Sequence, residues 1–208
     1  SKMDEAVDIL QAGKDLKEAS SAAILIHGRG ASAQSIISLK SYLKLKDFAL
    51  LAPQAEGNTW YPYSFMAPDE SNQQSLKKSL GKIQKAFDQI VKKGIPTERI
   101  YLIGFSQGAC LSLEFAALNA QKLGGVVAFT GGLIGEKLQP EKYKGNFDGT
   151  PVFIGSSNRD FHVPLTRIEE SAQLLEKMGA SVKTLIFDDP EHTIREEELE
   201  WVNEHLLS

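Results

Sequence analysis

The chain has 208 residues, 42% of them hydrophobic and 24% charged, with 23 Lys+Arg against 27 Asp+Glu for a formal charge of −4. These proportions fit an ordinary soluble globular chain and exclude disordered or collagen-like ones; a chain of this length buries about 70% of its unfolded surface, enough for one core. The mild acidity, with only the short basic pairs Lys77-Lys78 and Lys92-Lys93, excludes a general electrostatic attraction for phosphate backbones, so no nucleic-acid partner is expected.

Ser1-Lys2 ahead of Met3 carry no weight, and no basic segment leading into an apolar stretch opens the chain. Residues 4–20 fit either a short helix or an extra edge strand. Ala22–Ile26 is the first core strand and the longest apolar run, far too short to span a bilayer. Ser32–Lys46, with Ile36, Leu39 and Leu43, has helical spacing. Phe48–Ala52 reads as a strand. Leu76, Leu80, Ile83, Phe87, Ile90 and Val91 fall on one face of a long helix, closed by Gly94 and Pro96. A strand at Ile100–Phe105 leads into a helix at Ala109–Ala120, and a strand at Gly125–Thr130 follows. Gly131–Thr150 reads as a surface excursion. A strand at Pro151–Ser156, a helix through Leu165, Ile168, Ala172, Leu175 and Met178, a strand at Val182–Phe187 and a helix at Glu196–Leu207 complete the chain.

Several of these strands are apolar almost throughout, as in a parallel sheet buried on both faces. Strands alternating with helices of this length imply βαβ units. The predicted architecture is one α/β domain over 1–208, a three-layer sandwich around a mostly parallel sheet. The single cysteine, Cys110, allows no intrachain disulfide, which suits a reducing cytoplasmic setting. Cys110 reads as a small buried apolar group.

The stretch Gly104-Phe105-Ser106-Gln107-Gly108 lies between a strand and a helix, the setting of a nucleophile elbow. Ser106 is the candidate nucleophile. A serine hydroxyl needs a base, and His192, in a polar loop after the last strand, is the candidate, with His162 its competitor. Asp160, in the loop after the preceding strand, is the candidate orienting carboxylate. The chain order Ser, Asp, His is that of α/β-hydrolases. Asp188 and Asp189 stand too near His192 to orient it and read as solvated loop carboxylates.

Two backbone N–H groups are expected to form an oxyanion hole: that of Gln107, after the nucleophile, and that of Arg29, in the loop His27-Gly28-Arg29-Gly30. The Arg29 side chain either meets an anionic substrate group or points idly into solvent. The aromatic cluster of Trp60, Tyr61, Tyr63, Phe65 and Met66 either lines a substrate pocket or closes the core. Trp60, Tyr63, Phe65 and His162 are the candidate substrate-binding residues.

Leu25-Ile26-His27-Gly28-Arg29-Gly30, Gly104-Phe105-Ser106-Gln107-Gly108, Asp160-Phe161-His162-Val163-Pro164 and Glu191-His192-Thr193 occur in that order. Together with Ala52-Pro53-Gln54-Ala55, Trp60 and Gly94–Ile100, they resemble the phospholipase/carboxylesterase family of α/β-hydrolases, which includes the acyl-protein thioesterases. The resemblance covers residues ~20–205. It implies an α/β-hydrolase fold without a lid domain, and a Ser-Asp-His hydrolase of carboxylic esters or thioesters with no cofactor and no metal. A small-molecule ester or thioester is the implied substrate, and a monomer or homodimer the expected assembly. A lysophospholipase or acyl-protein thioesterase with a long-chain pocket is the alternative enzyme. A catalytically silent hydrolase-like binding module is the alternative outside enzymes. Arg29 and Phe161-His162 depart from the residues usual at those places.

Overall fold

A computed structural model describes residues 8–207. Ser1-Lys2, residues 4–7 of the amino-terminal segment and residue 208 lie outside the described residues. The strands are β1 (Ile9–Gly13), β2 (Ser21–Ile26), β3 (Phe48–Pro53), β4 (Ile100–Phe105), β5 (Gly125–Phe129), β6 (Pro151–Ser157) and β7 (Ser181–Phe187). The α-helices are α1 (Ala33–Ile37), α2 (Asp69–Lys92), α3 (Gln107–Leu118), α4 (Leu165–Lys177) and α5 (Glu196–His205). The segment open to two readings thus contributes an edge strand, β1.

The strands form one sheet in the order β1-β3-β2-β4-β5-β6-β7. Only β1 runs antiparallel to its neighbour; every other pairing is parallel. Alternation along each strand feeds two cores. Ile24, Ile26, Leu102, Val126 and Ile154 pack on one face with residues of α2, α3 and α4. Ala23, Leu25, Ile103, Val127 and Phe153 pack on the other with residues of α1 and α5. All of β2, β3 and β5 is buried, which is why those runs are apolar without alternation. After β2 the chain turns to β3 on one side, and β4 returns on the other. That places a topological switch point at the carboxyl ends of β2 and β4, where open α/β sheets form crevices. No described helix is long and apolar enough to cross a membrane.

Two sequence expectations are corrected. The helix expected over Ser32–Lys46 ends at Ile37 and passes into a 3₁₀ turn at Ser38–Ser41. A capping box between Ser32 and Ser35 starts it, but the Ser38 hydroxyl donates to the Ser35 carbonyl (2.6 Å), competing with helix continuation. Leu43 and Leu45 then reach the core from irregular chain. The expected surface excursion, Gly131–Thr150, carries Leu133, Ile134, Tyr143 and Phe147 into the core. Two buried ionic side chains pin it. Glu114 of α3 accepts from the Tyr143 hydroxyl (2.7 Å) and the Ile134 N–H (3.0 Å) and pairs with Lys142. Arg167 of α4 donates to the carbonyls of Leu133, Gly135 and Glu136. Neither partner set is local in sequence, so composition alone suggested a surface loop.

Candidate active site

The sharpest local feature lies between β4 and α3. Ser106 has φ 58° and ψ −116°, a conformation that costs a non-glycine residue about 1–3 kcal/mol. Tertiary bonds hold it there: its N–H donates to the Phe129 carbonyl (2.9 Å), and its carbonyl accepts from Ala109 (2.9 Å) and Cys110 (3.1 Å). The flanking glycines are a matter of space. A Cβ on Gly104 would lie 2.3 Å from the Gly108 carbonyl oxygen, and one on Gly108 would lie 2.0 Å from the Ile26 carbonyl oxygen. The turn can therefore press against β2 only with glycine at both positions.

The Ser106 hydroxyl donates to His192 Nε2 at 2.6 Å. Nδ1 of that ring must then carry the proton, and it donates to Asp160 Oδ2 at 2.6 Å. The other Asp160 oxygen accepts the His162 backbone N–H at 2.7 Å, so the buried carboxylate is held through both oxygens. Asp160 and His192 come from the loops after β6 and β7, at the same edge of the sheet as Ser106. The three predicted residues are thus brought into one bonded row. The His162 ring lies beside that of His192, with centroids 4.6 Å apart, but it is His192 whose ring bonds to both serine and carboxylate.

At the switch point, the Gln107 N–H opens α3 and has no intrahelical acceptor, and the positive end of the helix dipole points the same way. The Gly30 N–H is taken by the Asn58 carbonyl (2.7 Å) and the Ala31 N–H by the Gly28 carbonyl (3.1 Å). Among the described residues, the Arg29 N–H has no protein acceptor. Buried His27 braces this loop. Its Nε2 accepts from the Ala55 N–H, and its Nδ1–H donates to the Gly28 carbonyl. Burial lowers its pKa, favouring the neutral ring that these two bonds require.

A cleft of about 440 Å³ opens over Ser106 and His192, lined among others by Tyr61, Phe65, Phe161, His162 and Val163. Of the candidate substrate-binding residues, Phe65 and His162 line it, whereas Trp60 and Tyr63 do not. Trp60 is buried in the core, its indole N–H donating to the His27 carbonyl (2.8 Å). Tyr63 is 59% exposed. Cys110 lies on the cleft floor with its thiol pushed up to about 12 by burial, far from a thiolate.

The Arg29 guanidinium is not idle. It donates to the carbonyls of Tyr61 (2.8 Å), Pro62 (3.1 Å) and Tyr63 (2.8 Å), tying the aromatic loop to the β2 loop. Asp189 also departs from its sequence reading, because it pairs with Arg195.

Sequence reasoning missed the Gln107 side chain. It accepts the Trp60 N–H (2.8 Å) and donates to the Tyr61 carbonyl (2.9 Å), closing the aromatic loop onto α3. Nothing in the local sequence pairs residues so distant along the chain. Gln107→Ala is expected to cost about 1–3 kcal/mol, because it strands buried backbone groups while leaving its own N–H in place. Denaturant unfolding checks this through a lower midpoint at unchanged slope.

The Phospholipase/Carboxylesterase family model matches residues 10–208. Acyl-protein thioesterase 1 of Debaryomyces hansenii is 38% identical over 114 residues, covering 54% of this chain and 49% of that protein; the chain spans about half the length of this relative. Acyl-protein thioesterase 1 of Saccharomyces cerevisiae is 29% identical over 175 residues, covering 75% of this chain and 77% of that one. The crystal structure of a phospholipase/carboxylesterase from Dyadobacter fermentans superposes with a TM-score of 0.96 at 47% identity, covering 98% of this chain and 97% of that chain.

Proposed function

The chain belongs to the phospholipase/carboxylesterase family of α/β-hydrolases, which are carboxylic ester hydrolases, and on that premise we propose that it cleaves small esters or thioesters through an acyl-enzyme on Ser106. His192 takes the hydroxyl proton as Ser106 attacks the carbonyl, then gives it to the leaving group. Asp160 fixes the imidazole tautomer and stabilises the imidazolium. The N–H groups of Arg29 and Gln107 receive the developing oxyanion, and a water activated by His192 releases the acid. The observation that carries this reading is the bonded row Ser106–His192–Asp160, closed at 2.6 Å on both sides of the ring.

Phe65 and His162 are proposed to contact substrate, because both line the cleft above Ser106. The Arg29 guanidinium lines the same cleft while it donates to three carbonyls of the aromatic loop, so it acts in shaping that wall. The same reading takes 1–208 as one domain, acting as a monomer or homodimer in the cytoplasm without nucleic acid, metal or cofactor. A fluorophosphonate probe is expected to modify Ser106, located by peptide mass. A series of p-nitrophenyl esters and acyl thioesters of rising chain length is expected to be hydrolysed with a preference that reports the cleft. A chain that neither reacts with the probe nor turns over any of the series would be a hydrolase-like binding module instead.

A further inference from the structure

Arg195, just ahead of α5, spends its guanidinium on the loop that carries His192. Nη2 donates to the Glu191 carbonyl (2.8 Å) and Nη1 to the Thr193 carbonyl (3.2 Å), the residues on either side of the histidine. The rest of the fork grips Asp189, with Nε 3.0 Å from Oδ2 and Nη2 2.5 Å from Oδ1. The guanidinium carbon lies 4.7 Å from the centroid of Phe187, the last residue of β7. Behind it, Glu198 of α5 is wholly buried, accepts the Arg195 N–H at 2.8 Å and stands 3.5 Å from Nη1. Glu198 is itself seated against Gly155 of β6, where a Cβ would lie 1.8 Å from Oε1. One side chain thus joins the end of β7 and the start of α5 to the carbonyls of the residues on either side of His192.

Residues 188–194 belong to no helix or strand. At the loop's start Arg159 donates to the Asp188 carbonyl (2.8 Å), and at its end Ile194 packs on the core. Nearer His192, the other backbone ties include an Asp189 turn to the Glu191 N–H (2.9 Å) and a long bond from the Thr130 hydroxyl to the Thr193 carbonyl (3.4 Å). We propose that Arg195 is a positioning residue that fixes the His192 ring in line between Asp160 and Ser106 by clamping the carbonyls of Glu191 and Thr193. The inference rests on the catalytic reading of Ser106 and His192. A planar fork is required, because it must reach two carbonyls and a carboxylate at once; an ammonium is a single point donor. Small misplacement of a reacting group costs roughly 10²-fold in rate.

Arg195→Lys is the primary test, because it keeps a cation beside buried Glu198. Reaction with a fluorophosphonate counts competent sites, and kcat is expressed per titrated site. The expected result is a fall in kcat of roughly 10²-fold at unchanged KM. Broadening or loss of the downfield proton resonance of His192 Nδ1 is expected with it. Arg195→Met combined with Glu198→Gln removes cation and buried carboxylate together and should show the same pattern. A role in folding alone would lower the melting temperature while leaving kcat per titrated site and the resonance at wild-type values, and that result overturns the inference. A rise in KM at unchanged kcat overturns it equally. If the wild-type protein neither reacts with the probe nor turns over ester, the catalytic reading itself fails, and this inference with it.

Discussion

Ser106→Ala is expected to lower kcat by about 10⁶-fold, because nucleophile, base and carboxylate act as a unit and loss of the nucleophile costs nearly as much as loss of all three. The hydroxyl's side-chain partner is His192 Nε2, so its removal breaks no structural bond. The backbone at φ 58° is held by the Phe129 carbonyl and the α3 amides, which an alanine keeps, and alanine bears the same Cβ in that conformation. The variant should therefore unfold at nearly the wild-type midpoint and no longer react with a fluorophosphonate. Steady-state hydrolysis of the best p-nitrophenyl ester measures the loss. Turnover within tenfold of wild type would remove Ser106 from the chemistry.

The central strands were legible because they are buried on both faces: a run such as Ala22–Ile26 is apolar at every position and has the length of a strand rather than of a buried helix. Ser106 was legible because the elbow's constraints are local. Gly104 and Gly108 are demanded by atoms within four residues and by β2, and the helix follows at once. What could not be read were contacts between side chains and distant backbone. Arg29 on the carbonyls of residues 61–63, Gln107 on Trp60 and Tyr61, and Arg167 on the carbonyls of Leu133, Gly135 and Glu136 all satisfy backbone groups 31 or more positions away. Trp60 looked like a pocket residue because an aromatic cluster after a core strand has the same composition whether it faces a cleft or a core. Only its bond to the His27 carbonyl decides. Asp189 and Arg195 lie six positions apart and could have been paired by charge. The consequence for His192 depends on the carbonyl directions of the loop, which no residue identity encodes.

His192→Ala is expected to be nearly as damaging as the serine variant, about 10⁶-fold in kcat, whereas His162→Ala is expected to change KM and substrate preference with kcat within about tenfold of wild type. Both rings stand at the cleft and 4.6 Å apart, so proximity alone does not separate them. Bonding does. His192 alone links the Ser106 hydroxyl to the Asp160 carboxylate, and alanine there leaves the hydroxyl without a base and the carboxylate without its imidazole partner. The bond from His162 to Asp160 uses the backbone N–H, which alanine retains, so the carboxylate stays oriented when that ring is removed. What the His162 variant loses is a wall of the cleft beside Phe161, itself 95% exposed, and a wall is felt in binding. The two variants and the wild type, compared on one short and one long acyl ester, decide the matter. A dead His162 variant beside an active His192 variant would move the base to the neighbouring ring.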